Sequence, residues 1–210
     1  MIRPASSPDL LIATTNPGKF GEFAALLAGV PVRLHALAEF DSAPRVAEDG
    51  ASYRENALHK ALTLARWSRY AALADDSGLE VDALQGAPGV HSARYAGDQQ
   101  DSDANIRKLL EALADVPDAR RAARFRCVIV VARPDGATLV TEGTCEGRIT
   151  RVPRGRHGFG YDPVFLHPPS GHTFAELSAA VKNHISHRAR ACRQLRPQLA
   201  GFLADSGGPS

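Results

Sequence analysis

Asp75 and Asp76 stand side by side at the end of an apolar run, Ala71-Ala72-Leu73-Ala74, and lead into Ser77-Gly78-Leu79. The pattern predicts a buried strand that ends by delivering acidic groups to the mouth of an α/β sheet, where ligands usually bind. Neighbouring strand residues point to opposite faces, so one of the two carboxylates is expected to look toward a ligand. A carboxylate there suits Mg2+, a hard cation that prefers oxygen donors. A strand-end turn capped by Asp and Ser side chains would account for the same residues without any chemistry. Glu48 lies in the polar stretch Ala47-Glu48-Asp49-Gly50. Alone it reads as a solvated surface residue. Beside Asp76 it would complete a two-carboxylate Mg2+ site that leaves positions open to water and phosphate.

Three further stretches carry groups of chemical interest. Thr14-Thr15-Asn16-Pro17-Gly18-Lys19 has the parts of a phosphate cradle, because backbone amides at a helix start attract anions and Lys19 adds a full positive charge. It is not a P-loop, which needs Gly where Ala13 stands and Ser or Thr where Phe20 stands; a plain βα turn is the simpler reading. In Gly158-Phe159-Gly160-Tyr161-Asp162-Pro163, aromatic rings alternate with glycines, which lets a planar ligand approach the backbone. The same loop could be a tight turn whose rings plug the core. Lys182 and Ser186-His187-Arg188 place an Arg and a His at a helix start, where they can present donors to a carbonyl-bearing ring or form an ordinary polar helix face.

These residues need a frame. Leu10-Leu11-Ile12-Ala13 reads as a short buried strand, and Phe20, Phe23, Ala24 and Leu27 follow at helical spacing. Ser52-Tyr53-Arg54-Glu55 is a capping box opening a second helix, and Thr173-Phe174-Ala175-Glu176 is a second box. Ile106, Leu109, Leu110 and Leu113 mark a helix after the Gly/Pro-rich segment 86–97. Residues 125–132 and 138–149 read as strands joined at Pro134-Asp135-Gly136, a hairpin signal. Val164-Phe165-Leu166 is a short strand, and 186–203 a final helix in which Pro197 is a candidate kink or break. Mixed strands and helices around one sheet make the chain α/β, with the hairpin region forming a second lobe. The expected domain is 9–203, with flexible tails at 1–8 and 204–210.

Composition narrows the function classes. The 210 residues suit one domain with a real core, and 25 basic against 23 acidic side chains leave a net charge of +2. Arg120, Arg121, Arg124 and Arg126 are the densest basic cluster and read as a solvated loop and strand start, so no polynucleotide footprint is expected. Three widely spaced cysteines make no CxxC pair or disulfide framework, and eight histidines show no zinc spacing. Residues 1–8 lack the apolar core of a signal peptide and no run reaches membrane-spanning length. The expectation is a reduced, cytoplasmic protein without a membrane partner.

Taken in order, these pieces resemble the inosine/xanthosine triphosphate pyrophosphatase family, the house-cleaning enzymes that hydrolyse non-standard purine nucleoside triphosphates. The resemblance runs from about Leu10 to Leu199. It rests on the 14–19 turn, Glu48 through Glu55-Asn56-Ala57, Ala74-Asp75-Asp76-Ser77-Gly78-Leu79, Gly86-Ala87-Pro88-Gly89-Val90 with Ser92-Ala93-Arg94-Tyr95, 158–163, and Ile185-Ser186-His187-Arg188. One departure is Thr15, where many relatives carry a smaller residue. The resemblance implies that Thr14, Thr15, Asn16, Pro17, Gly18 and Lys19 bind the triphosphate. It makes Asp76 the acid/base carboxylate and a Mg2+ ligand, with Glu48 the second ligand and Ser77 touching substrate. Phe159, Gly160, Tyr161, Asp162, Lys182, His187 and Arg188 match the nucleotide and base pocket. It further implies an elongated two-lobed mixed sheet flanked by helices, an active site in the cleft between lobes, and a homodimer. The reaction implied is attack of water at the α-phosphorus, giving a nucleoside monophosphate and pyrophosphate. Asp76 is the assigned proton acceptor, with Asp75 an orienting neighbour. Two rivals remain: a nucleotide sensor without turnover, and a pyrophosphatase for modified pyrimidine nucleotides.

Overall fold

The computed structural model describes residues 7–205. The expected tails fall mostly outside that range; Ala204 is still helical.

Among the described residues seven strands form one mixed sheet. Strand β1 (Asp9–Ile12) is followed by helix α1 (Pro17–Leu26), strand β2 (Arg33–Ala36), helix α2 (Tyr53–Ser68) and the long strand β3 (Ala71–Val81). Helix α3 (Ser102–Ala112) precedes β4 (Ala122–Ala132) and β5 (Thr138–Ile149). The short strands β6 (Phe165–His167) and β7 (His172–Thr173) and helices α4 (Ala179–Ile185) and α5 (His187–Ala204) complete the order. The strand order is β2-β1-β3-β4-β5-β6-β7. Strand β1 lies parallel to both β2 and β3, with Leu10 opposite Ala71 and Ile12 opposite Leu73. The β5–β6 and β6–β7 pairs are antiparallel.

Local chemistry explains several of the boundaries. Asn16 caps α1, its Oδ1 accepting the Lys19 N–H at 3.1 Å, and Pro17 occupies the first helical position, where a missing N–H is harmless. The hairpin between β4 and β5 closes at Gly136, whose φ of 97° needs a residue without Cβ. Ser52 Oγ accepts the Glu55 N–H, but the Glu55 carboxylate reaches back to Ala51, one residue beyond the standard capping box. Thr173 and Glu176 cap only a single 3-10 turn, Phe174–Glu176.

The chain packs as two compact units. The first holds the described residues through Asp76, Val128–Thr141 and those from Cys192 onward; the second holds Ser77–Cys127 and Glu142–Ala191. The first unit buries Leu10, Leu11, Ile12, Phe23, Leu64 and Leu73; the second buries a cluster around Leu79, Leu109, Phe125, Phe165 and Phe174.

Three expectations need correction. Strand β3 does not end at its acidic pair but runs on to Val81, because Leu79 and Val81 continue the buried pattern and Gly78 is accommodated inside the strand. Arg121 is not solvated: it is 3% exposed, and its guanidinium donates to the carbonyls of Val116, Thr150 and Leu113. Five N–H donors on a fixed fork let it collect backbone carbonyls at a chain crossing, a structural use of Arg that composition does not reveal. Pro197 breaks nothing, since α5 continues through it.

Candidate active site

In the first unit, β1, α1, α2 and β3 bring a cluster of alternating charge together. The turn after β1 is fastened to β3 by the Ala13 N–H, which donates to the Leu73 carbonyl at 2.7 Å. Thr14 Oγ1 accepts the Asn16 N–H, so the turn enters α1 in a fixed conformation while Thr15, Asn16 and Pro17 remain exposed. Lys19, on the first turn of α1, extends its Nζ to Asp75 Oδ1 at 3.0 Å. Asp75 is 1% exposed and Asp76 7%. Asp76 Oδ2 accepts a hydrogen bond from Asn56 Nδ2 at 2.8 Å, and Glu48 pairs with Lys60.

The two aspartates meet different partners, Asp75 the Lys19 ammonium and Asp76 the Asn56 amide. The charge of Lys19 acts on Asp76 as well as bonding Asp75, and Lys60 is held by the charges of Asp75, Glu48 and Asp76. Burial pushes the Asp76 carboxyl up; the Asn56 bond and Lys19 pull it down, Glu48 pushes it up again, and the net effect is a raised pKa. Burial pulls the Lys60 ammonium down, yet the three carboxylates outweigh it and raise it. Lys60 therefore stays charged.

Three carboxylates against two ammonium groups leave this cluster with an excess negative charge. Among the described residues no group of three or more His, Cys, Asp and Glu side chains could hold a metal ion. A full protein cage is not what Mg2+ requires, since it binds through one or two carboxylates and keeps waters or substrate phosphates. Asp76, a buried oxygen donor whose proton affinity is raised by burial and by the charge of Glu48, fits such a cation.

In the second unit, the loop after β5, helix α4 and the start of α5 form another constellation. Asp162 is 2% exposed; its Oδ2 accepts the Phe159 N–H at 2.9 Å and pairs with Lys182 on α4. A Cβ on Gly158, whose φ is +76°, would lie 2.0 Å from that oxygen, so glycine is required for the loop to close on Asp162. Lys182 Nζ sits 4.7 Å from the Phe159 ring centroid, and the Arg188 guanidinium carbon 5.7 Å from it. Arg188 is fully buried at the start of α5 and donates to Ser77 Oγ at 3.4 Å. His187 stacks on Phe125, with centroids 4.7 Å apart. Tyr161 is placed in the core, its hydroxyl donating to the Ser92 carbonyl at 2.9 Å, while Gly160 lies in the loop with open space where a Cβ would be.

Sequence reasoning thus named Lys19, Glu48, Asp75 and Asp76 of the first cluster but overlooked Lys60 and the side-chain role of Asn56. A signal was available. Residues 53, 56, 57, 60, 61 and 64 form one helical stripe of α2, and Asn56 and Lys60 are the polar members of an otherwise mostly apolar row.

Comparison with known proteins shows the family to which the chain belongs. The Ham1 family pattern matches residues 10–198. A protein of Geobacillus kaustophilus named dITP/XTP pyrophosphatase is 50% identical over 199 residues, covering 95% of this chain and 98% of its own. One of the same name from Xylella fastidiosa is 51% identical over 197 residues, covering 93% and 98%. The solved structure of a HAM1 protein from Coxiella burnetii superposes with a TM-score of 0.84 at 42% identity, over 92% of this chain and 99% of that one. The Staphylococcus aureus Ham1 protein gives 0.81 at 40%, with the same coverage. The chain belongs to the Ham1 family, and its mixed seven-stranded sheet is the fold of these neighbours. Among the described residues no helix is long and apolar enough to cross a membrane.

Proposed function

We propose that this chain hydrolyses non-standard purine nucleoside triphosphates, deoxyinosine and xanthosine triphosphates first among them, to the monophosphate and pyrophosphate. The observation that carries this reading is the buried Asp76, bonded to Asn56 and facing the charges of Lys19, Lys60 and Glu48, in a chain half identical to proteins named for that reaction.

Phosphoanhydride cleavage needs charge neutralisation and a positioned water more than covalent chemistry. Lys19, with the turn of Thr14, Thr15, Asn16, Pro17 and Gly18, whose middle three residues are exposed, binds the outer phosphates of the leaving group. Asp76 accepts the proton of the attacking water, a role for which a raised carboxyl pKa is suited. Glu48 and Asp76 would hold Mg2+, which supplies charge screening and a more acidic water when bound. On the second unit, Phe159 and Gly160 offer a stacking surface, with Asp162 and Lys182 fixing the loop. Arg188 can only donate hydrogen bonds. It therefore matches the 6-carbonyl of hypoxanthine or xanthine and leaves the 6-amino group of adenine unmatched. His187 and Ser77 flank it. Homodimer formation belongs to the same reading, and light scattering tests it.

A substrate panel with pyrophosphate detection tests the function. Deoxyinosine and xanthosine triphosphates should be consumed far faster than adenosine and guanosine triphosphates. Equal turnover of all four would remove the house-cleaning role. Tight binding without product would support a sensor, and preference for modified pyrimidine nucleotides would move the substrate class.

A further inference from the structure

Asn56 is 1% exposed on α2, and each end of its side-chain amide has a distinct partner in the first unit. Nδ2 donates to Asp76 Oδ2 at 2.8 Å, and Oδ1 accepts the Gly50 N–H, also at 2.8 Å. The partners dictate that orientation, because a backbone N–H requires an oxygen and a carboxylate requires a donor. Gly50 is two residues past Glu48. A Cβ on Gly50 would lie 2.7 Å from Asn56 Oδ1 and 3.0 Å from Glu55 Cβ, so the loop approaches the helix as closely as glycine permits. One turn further along α2, Lys60 pairs with Glu48 itself.

We propose that Asn56 is a positioning residue: its amide ties the loop that carries Glu48 to the carboxylate of Asp76, so that the two acidic groups hold one spacing. This rests on the proposed hydrolysis and goes beyond it, since Asn56 is assigned no contact with substrate. The chemistry is restrictive. Asp at this position would keep an acceptor for Gly50 but set a second carboxylate against Asp76. Leu would keep the volume and lose both bonds, and Gln is one methylene too long for the spacing. A misplacement of the proton acceptor by a fraction of its bond length is enough to slow a reaction that depends on near-attack geometry.

Asn56→Ala, Asn56→Asp and Gly50→Ala are compared with the parent by steady-state kinetics and by amide hydrogen exchange of nucleotide-free, metal-free protein. In Asn56→Ala, kcat for deoxyinosine triphosphate should fall about 10–100-fold with KM within about threefold. Exchange at Gly50 should accelerate at least about fivefold while the α2 core keeps its protection. Asn56→Asp should lose kcat yet retain Gly50 protection, separating the two ends of the amide. Gly50→Ala should reproduce the loss of kcat with Asn56 intact. Unchanged kcat and unchanged Gly50 exchange in Asn56→Ala overturn the proposal. So does a loss shared equally by kcat, KM and the protection of all of α2, which would make Asn56 a fold residue only. If the parent turns over no nucleotide, the proposed function fails, and the tether is judged on the exchange results alone.

Discussion

Replacing Asp76 with Asn separates what the acidic cluster does for chemistry from what it does for the fold. The two side chains have nearly the same volume, so no cavity forms. Asp76 is 7% exposed, and burial is the first cause of its raised pKa, with Glu48 adding to it. A carboxyl whose folded pKa is raised contributes stability below the ordinary carboxylate value, about 3.9. That contribution is lost as pH rises through the folded value. At neutral pH the ionised group is therefore a burden on the fold. The variant removes that burden but weakens the bond from Asn56, which changes from charge-assisted to neutral at a loss of about 1 kcal/mol. The two effects oppose, so Asp76→Asn at pH 7.5 in metal-free buffer should match the parent within about 1 kcal/mol by urea unfolding. Turnover should fall about 10²–10⁴-fold, the range for losing a general base, or about 2.7–5.4 kcal/mol of barrier. Pyrophosphate release from deoxyinosine triphosphate is the assay. A folded variant within tenfold of the parent's activity refutes the assignment of Asp76. A stability loss above about 3 kcal/mol refutes the electrostatic argument, because that is the range for breaking a needed buried pair.

Lys19→Ala should weaken deoxyinosine and adenosine triphosphates about equally, whereas Arg188→Ala should narrow the gap between them by on the order of 1–3 kcal/mol, read as ratios of kcat/KM; a uniform loss for Arg188→Ala would move that residue to phosphate binding. Gly158→Ala sets a Cβ 2.0 Å from Asp162 Oδ2 at a φ of +76° and should destabilise the protein by about 2–4 kcal/mol in urea, from backbone strain plus disturbance of the Asp162–Lys182 pair; a variant as stable as the parent would show that the loop closes otherwise. Burial, followed by the charge of Arg190, lowers the pKa of His167, so its contribution to stability is present above about pH 6.5 and is lost as pH falls through the lower folded value. Unfolding midpoints of the parent should therefore decline faster than those of His167→Gln from pH 6.5 to pH 5, and parallel declines would contradict this.

Much of this molecule could be read before its coordinates, for identifiable reasons. Strand β1, helix α1 and the β4–β5 hairpin carry strong periodicity and turn residues at fixed offsets, and the apolar run into Asp75 and Asp76 marked a buried acidic strand. Strand β2 is four residues, Arg33-Leu34-His35-Ala36, at the sheet edge and half-buried, so it shows neither alternation nor an apolar run. Helix α4 has seven residues, too few for a periodic pattern, and yet it carries the buried Lys182. Asn56 and Lys60 interrupt the apolar stripe of α2, which marks them as unusual, but their partners Asp76 and Glu48 are distant in sequence and only the fold shows the pairing. Arg121 went the other way: a basic cluster suggested solvent, while the chain folds three carbonyls around its guanidinium.

The position of water attack tests the account most directly. Deoxyinosine triphosphate is hydrolysed with Mg2+ in 18O-enriched water, and the products are resolved by phosphorus NMR and mass spectrometry. If Lys19 and the 14–19 turn hold the outer phosphates as leaving group while Asp76 takes the proton of water at the innermost phosphorus, the label enters deoxyinosine monophosphate alone. Pyrophosphate should then appear in equal amount and unlabelled. Label in pyrophosphate, or release of orthophosphate with deoxyinosine diphosphate, would place the attack elsewhere and contradict the account.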